Sequence, residues 1–174
     1  PSGPITLDGT QMSGNNAINN GTNALRLIGT LEGTSTLQNP GFAIYLDYNP
    51  DFTLSINVSA GNVLTIQPGT ILKGYGSSYW EGRGSGIQVS GILNALGTSE
   101  DPITFTGNND WGQLNFGTNT AEGTILEHCI IENNGYNNYP LVYVFSSNVT
   151  IKNCTFRNTP NSGLTIGSGI PTLE

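Results

Sequence analysis

A chain of 174 residues can build one domain with its own core, or one stack of repeats. Only 10% of the residues are charged, and five Lys and Arg within a net charge of −7 form no basic cluster, which argues against nucleic acid and anionic lipid as partners. Apolar residues make up 36%, too many for a disordered tract, and no apolar run approaches the ~20 residues that would insert in a membrane.

Residues 1–60 are the least regular part. Pro1-Ser2-Gly3-Pro4 reads as the start of a trimmed chain. Segments 25–31, 43–47 and 52–58 read as strands of irregular N-terminal coils that cap the more regular structure to follow. From residue 61 to 174 short strand-like runs follow one another, at 63–66, 71–73, 87–89, 103–106, 114–116, 130–132, 141–145, 149–151, 154–156 and 164–166. Most alternate apolar with polar residues, and Gly, Pro, Asn or Asp separates nearly all of them. The last run ends at Pro171-Thr172-Leu173-Glu174 with no capping element, so further coils of a longer protein are expected.

These runs repeat. The triplets Ile87-Gln88-Val89, Leu114-Asn115-Phe116, Leu141-Val142-Tyr143 and Leu164-Thr165-Ile166 begin at intervals of 27, 27 and 23 residues. Leu126-Glu127-His128-Cys129-Ile130-Ile131 matches Ile151-Lys152-Asn153-Cys154-Thr155-Phe156 at an offset of 25. Three short strands per coil, with roughly 23–32 residues per coil and parallel pairing between coils, describe an all-β, single-stranded parallel β-helix. The pattern predicts one core ladder of Ile87, Leu114, Leu141 and Leu164 and a second of Val89, Phe116, Tyr143 and Ile166. Gln88, Asn115 and Thr165 then face outward. An antiparallel sandwich would not predict such identities at a fixed offset.

Four stretches carry a resemblance: Leu64-Thr65-Ile66-Gln67-Pro68-Gly69-Thr70-Ile71-Leu72-Lys73, Gly86-Ile87-Gln88-Val89-Ser90-Gly91-Ile92-Leu93-Asn94-Ala95, Asp101-Pro102-Ile103-Thr104-Phe105-Thr106 with Trp111-Gly112, and Asn153-Cys154-Thr155-Phe156-Arg157-Asn158. Over residues 61–170 the chain resembles secreted proteins with right-handed parallel β-helix repeats, the pectate-lyase-like superfold. The resemblance implies a fold and an extracellular or cell-surface setting. It implies no activity, because such repeats serve lyases, hydrolases, adhesins and stalks alike.

The residues that could carry chemistry mostly have structural explanations. His128 is the single histidine, and it aligns with Asn153 at a bend between strands, where both residue types tolerate a left-handed backbone. Cys129 and Cys154 should stack inward on adjacent coils as two thiols rather than as a disulfide. Glu127 falls over Lys152 and Glu132 over Arg157, which reads as cross-strand ion pairing rather than as the paired acids of a glycosidase. Neither the Arg-rich strand of pectate lyases nor the Gly-His-Gly stretch of β-helical galacturonases is present, so no catalytic residue is assigned. Asp47 with Asp51 suggests calcium, but the glycine-rich calcium repeat is missing and no other cofactor is implied. Thr104 and Thr106 form one Thr-x-Thr pair that later coils do not continue, unlike an ice-binding array.

One constellation points to a ligand. The loops between the second and third strands of successive coils carry Tyr75, Tyr79 and Trp80, then Trp111, then Tyr136 and Tyr139, interleaved with Asn, Asp and Glu. Rings stack on the C–H faces of sugars while amides and carboxylates bond their hydroxyls. The leading expectation is therefore a non-catalytic extracellular module of a larger surface or secreted protein, in adhesion or polysaccharide binding. Two alternatives stand beside it: part of a polysaccharide lyase or glycoside hydrolase whose active site lies outside this segment, and a purely structural stalk.

Overall fold

The computed structural model describes residues 16–47, 54–75, 85–107, 111–133 and 139–174, with the backbone alone at Tyr75 and Trp111. Among them the chain winds through strands in successive threes. The first coil is β1 (Leu25–Leu27), β2 (Gly29–Leu31) and β3 (Thr34–Leu37), and the second is β4 (Ile44–Asp47), β5 (Ile56–Val58) and β6 (Val63–Ile66). Then come β7 (Ile71–Tyr75), β8 (Ser85–Val89) and β9 (Ile92–Leu96), followed by β10 (Ile103–Thr106), β11 (Trp111–Phe116) and β12 (Thr124–Glu127). The last two coils are β13 (Cys129–Glu132), β14 (Val142–Val144) and β15 (Val149–Lys152), then β16 (Thr155–Arg157), β17 (Leu164–Ile166) and β18 (Thr172–Leu173).

Every pairing is between equivalent strands of neighbouring coils, and every one is parallel. The first, second and third strands of each coil therefore build three six-stranded sheets, here sheets I, II and III. The product is an all-β solenoid of right-handed type, the hand that strand twist imposes on parallel crossovers. β1 to β5 pair in register with β4 to β8, so residues 25–58 build coils of the same three sheets.

Alternation decides what lies inside. β4, β10, β12, β13 and β15 each bury every second residue. On sheet I the inward ladder runs Leu25, Ile44, Leu72, Phe105, Ile131 and Phe156, and on sheet III Leu37, Ile66, Ala95, Leu126, Ile151 and Leu173. Buried hydroxyls at the corners are satisfied: Thr120 Oγ1 donates to the carbonyls of Val89 and Gly117, and Thr124 Oγ1 accepts from the Leu93 N–H.

Sheet II corrects the predicted register by one residue. Leu114 pairs with Val142, which pairs with Leu164, and Phe116 pairs with Val144, which pairs with Ile166. The two ladders are thus Ile87, Leu114, Val142, Leu164 and Val89, Phe116, Val144, Ile166. Leu141 is also buried, but it precedes the strand, and its carbonyl accepts the Leu114 N–H. Tyr143 faces outward between Asn115 and Thr165, where its ring packs 4.2 Å from that of Phe145. Val142 and Val144 supply the β-branched pair that the inner wall takes elsewhere as Ile87 and Val89, and a phenol reaching water costs less than one without a partner inside. Gln88, Asn115 and Thr165 do face outward, half-buried by their ladder neighbours.

Candidate functional site

Sheets III and I meet at a bend that shrinks to a single residue between β12 and β13. His128 occupies it with φ 47°, and Asn153 follows one coil later with φ 50°. Asn133 and Asn158, where the chain leaves sheet I, adopt φ 59° and 55°. The bends between sheets III and I are short because Asn and His accept this backbone at little cost. The longer turn 97–102 lies beside them, and Thr98, Ser99, Pro102, Cys129, Ile130 and Thr155 line a cavity of about 280 Å³ there together with the bend residues His128 and Asn153. Beside it the Ser99 hydroxyl donates to Glu100 Oε1 at 2.7 Å and holds that carboxyl below its usual range. His128 acts here as a bend residue. The variant His128→Asn should therefore match the stability of the parent to within the ~0.5 kcal/mol typical of neutral surface changes. Thermal unfolding followed by circular dichroism checks this, and loss of the fold would mean the imidazole holds the corner together.

The expected ion pairs form at the expected offset. Lys152 Nζ lies 3.5 Å from Glu127 Oε1, and Arg157 Nε donates to Glu132 Oε2 at 2.5 Å. Lys152 also reaches Glu174 at 3.8 Å, Arg26 pairs with Asp47 at 3.3 Å, and Lys73 lies 5.6 Å from the centre of the Tyr45 ring. Such partly exposed contacts contribute only about 0.2–1 kcal/mol each. They do occupy four of the five basic side chains, and the fifth, Arg83, lies outside the described residues. Asp47 of the suggested calcium pair is bound to Arg26, and Asp51 is outside the described residues. Among the described residues no three His, Cys, Asp or Glu side chains come together to hold a metal.

The aromatic loops all connect sheet I to sheet II, the first to the second strand of a coil counted from β1, where a count from residue 64 makes them the second and third. Their flanking strands β7 and β8, β10 and β11, and β13 and β14 are in register, so the ends of the three loops are anchored along one edge of the solenoid. Of the named residues, Tyr79, Trp80 and Tyr136 lie outside the described residues, and only backbone positions are given for Tyr75 and Trp111. Tyr139 is 40% exposed at the end of the third loop.

Beside that edge lies a feature the sequence reading missed. The outward ladder of sheet II runs Thr30, Asn57, Gln88, Asn115, Tyr143 and Thr165, one polar side chain per coil. Gln88 Nε2 donates to the Asn115 carbonyl of the next coil at 3.4 Å, along the axis, while Asn57 Nδ2 donates to Ser59 Oγ of its own coil at 3.1 Å. The Tyr143–Phe145 pair continues the row. At the loop side of the same sheet β11 shifts register between Trp111 and Gln113, and Gln113 Oε1 is buried there without a hydrogen-bond partner among the described residues. Gln88 and Asn115 were readable as outward. Tyr143 was not, because Leu141-Val142-Tyr143 offered a competing apolar frame. The chain matches no family model, no curated protein and no solved structure.

Proposed function

We propose that the chain is a non-catalytic extracellular β-solenoid module that binds polysaccharide along sheet II and its loop edge. The observation that carries this reading is the row of outward side chains from Asn57 through Gln88 and Asn115 to Tyr143, with Phe145 beside it. Parallel stacking repeats such groups about every 4.8 Å, which gives an extended polymer several equivalent contacts. Amides supply donors and acceptors for hydroxyls, and the rings offer flat faces to sugar C–H groups. The four basic side chains among the described residues, any of which a lyase could use as its base, are engaged with Glu127, Glu132, Asp47 and Tyr45, which favours binding over turnover. Affinity at each contact is small and accumulates by repetition.

Retention on immobilised pectin, alginate, xylan and cellulose tests the proposal. Wild type should be held by at least one polymer, and the double variant Tyr143→Ala, Phe145→Ala should lose about tenfold in affinity, as two stacking contacts of ~0.5–1.5 kcal/mol would give. A second pair, Tyr79→Ala with Trp80→Ala, asks the same of the loops. Equal retention of all three proteins, or none by any polymer, would leave the aromatic row as a cover for the core.

A further inference from the structure

Cys129 opens β13, and Cys154 sits directly before β16. The pairing of Ile130 with Thr155 sets the two cysteines opposite one another on neighbouring coils. Their surroundings repeat as well. Cys129 Sγ lies 3.4 Å from the Glu127 carbonyl and 3.6 Å from that of Ala95, while Cys154 Sγ lies 3.3 Å from Lys152 O and 3.5 Å from Leu126 O. Ala95 and Leu126 are themselves register partners, so both sulfurs occupy the same corner of the cross-section. The two thiols are unlinked. Packing does not require sulfur here, because the same ladder position one coil earlier is Ile103, buried without any polar atom in its side chain.

We propose that Cys129 and Cys154 are an oxidisable pair, which a small-molecule disulfide of the glutathione class converts into a disulfide clipping neighbouring coils together. The inference rests on the stacking alone and is independent of the polysaccharide reading. The two sites differ as the reaction needs. Cys154 is half-buried and Cys129 is 1% exposed, so attack begins at Cys154. The neighbouring Cys129 lowers the Cys154 pKa, while the neighbouring Cys154 and burial raise that of Cys129, the same order of reactivity that exposure gives.

The Cys154 thiolate attacks one sulfur of the oxidant, forming a mixed disulfide and releasing one glutathione thiolate, which takes up the Cys154 proton from solvent. With Cys154 held in the mixed disulfide, Cys129 gives its proton to solvent and attacks the Cys154 sulfur as the thiolate; the protein disulfide forms and the second glutathione leaves as a thiolate that takes up a proton. The protein loses two protons and two electrons, and one oxidised glutathione becomes two reduced molecules. Neighbouring strands lie about 4.8 Å apart, within the ~4.4–6.8 Å that a disulfide accepts between Cα atoms. Closing a loop between the two coils restricts the unfolded chain and should raise the melting temperature by several degrees.

The test incubates the folded chain with oxidised glutathione at neutral pH, then counts thiols in denaturant and maps peptides by mass. Wild type should lose both thiols in the monomer, yield a Cys129–Cys154 cross-linked peptide and melt higher, all reversed by dithiothreitol. Cys129→Ala should instead accumulate one glutathione on Cys154, and Cys154→Ala should stay unmodified. Wild type that keeps two thiols under the most oxidising conditions, holds glutathione on Cys154 without closing, or links only between chains would overturn the proposal.

Discussion

Leu114→Asp should leave no folded protein at room temperature. Leu114 is fully buried on the inner face of sheet II, with Ile87 on one neighbouring coil and Val142 on the other. Among the described residues no basic side chain shares that wall, because the outward pairing of Lys152, Arg157, Arg26 and Lys73 keeps them on the surface. A carboxylate placed there loses its water without gaining a partner, and protonating it still leaves a buried hydroxyl to satisfy. The cost runs to several kcal/mol, with the lost apolar packing added, against a net stability of about 5–15 kcal/mol. Position in the stack makes it worse: a solenoid coil is held only by its two neighbours, so failure in the fourth of six coils detaches both sides. Loss of the far-UV strand signal, with aggregation in size-exclusion chromatography, is the expected readout. Asn115→Asp next door faces outward and should fold with a change within about 0.5 kcal/mol. A folded Leu114→Asp protein would mean that the inner face of sheet II is misassigned.

The fold was legible because a parallel solenoid writes its cross-section into the sequence once per coil. The identity of Cys129 with Cys154, of Asn133 with Asn158, and the charge complement of Glu127 with Lys152 all sit at one offset, and one architecture satisfies them together. Register failed where the sequence offered two frames. In Leu141-Val142-Tyr143-Val144 every residue could enter an apolar wall, and side-chain period alone cannot choose between neighbours one residue apart. Leu141 is in fact buried as well, outside the strand. The candidate site was less legible for a different reason. Outward positions face few packing constraints, so Asn57, Gln88 and Asn115 obey no pattern that separates a ligand row from an ordinary polar surface. Their alignment becomes visible only once the coils are stacked.

Glycine positions carry the same lesson at atomic scale, and Gly91→Ala should be the more damaging of two changes at equivalent corners. Gly91 turns the chain from sheet II into sheet III, and its N–H donates to the Val58 carbonyl of the preceding coil at 2.9 Å. A Cβ added there would lie 2.3 Å from the Asn62 carbonyl oxygen and 2.4 Å from that of Ser59. Both obstacles are backbone, and both belong to a turn closed by the Asn62 N–H to Ser59 O bond, so neither can move without disturbing the coil below. The Ile92 N–H also donates to Asn62 O at 2.9 Å, so separating the turns breaks that bond too. A loss of about 2–4 kcal/mol is expected, the range reached when overpacking forces backbone apart. Gly117, one coil on and one residue earlier around the corner, is the control. Its added Cβ would meet only Gln88 Nε2 at 3.5 Å and Val89 O at 3.8 Å, ordinary contacts. Its φ is not in the left-handed range either. Gly117→Ala should therefore be neutral or stabilise by up to ~1 kcal/mol through the unfolded chain. Urea titration of both variants measures the difference directly. Equal stabilities would mean that the turns between sheets II and III are not stacked as closely as the 2.9 Å bonds across them require.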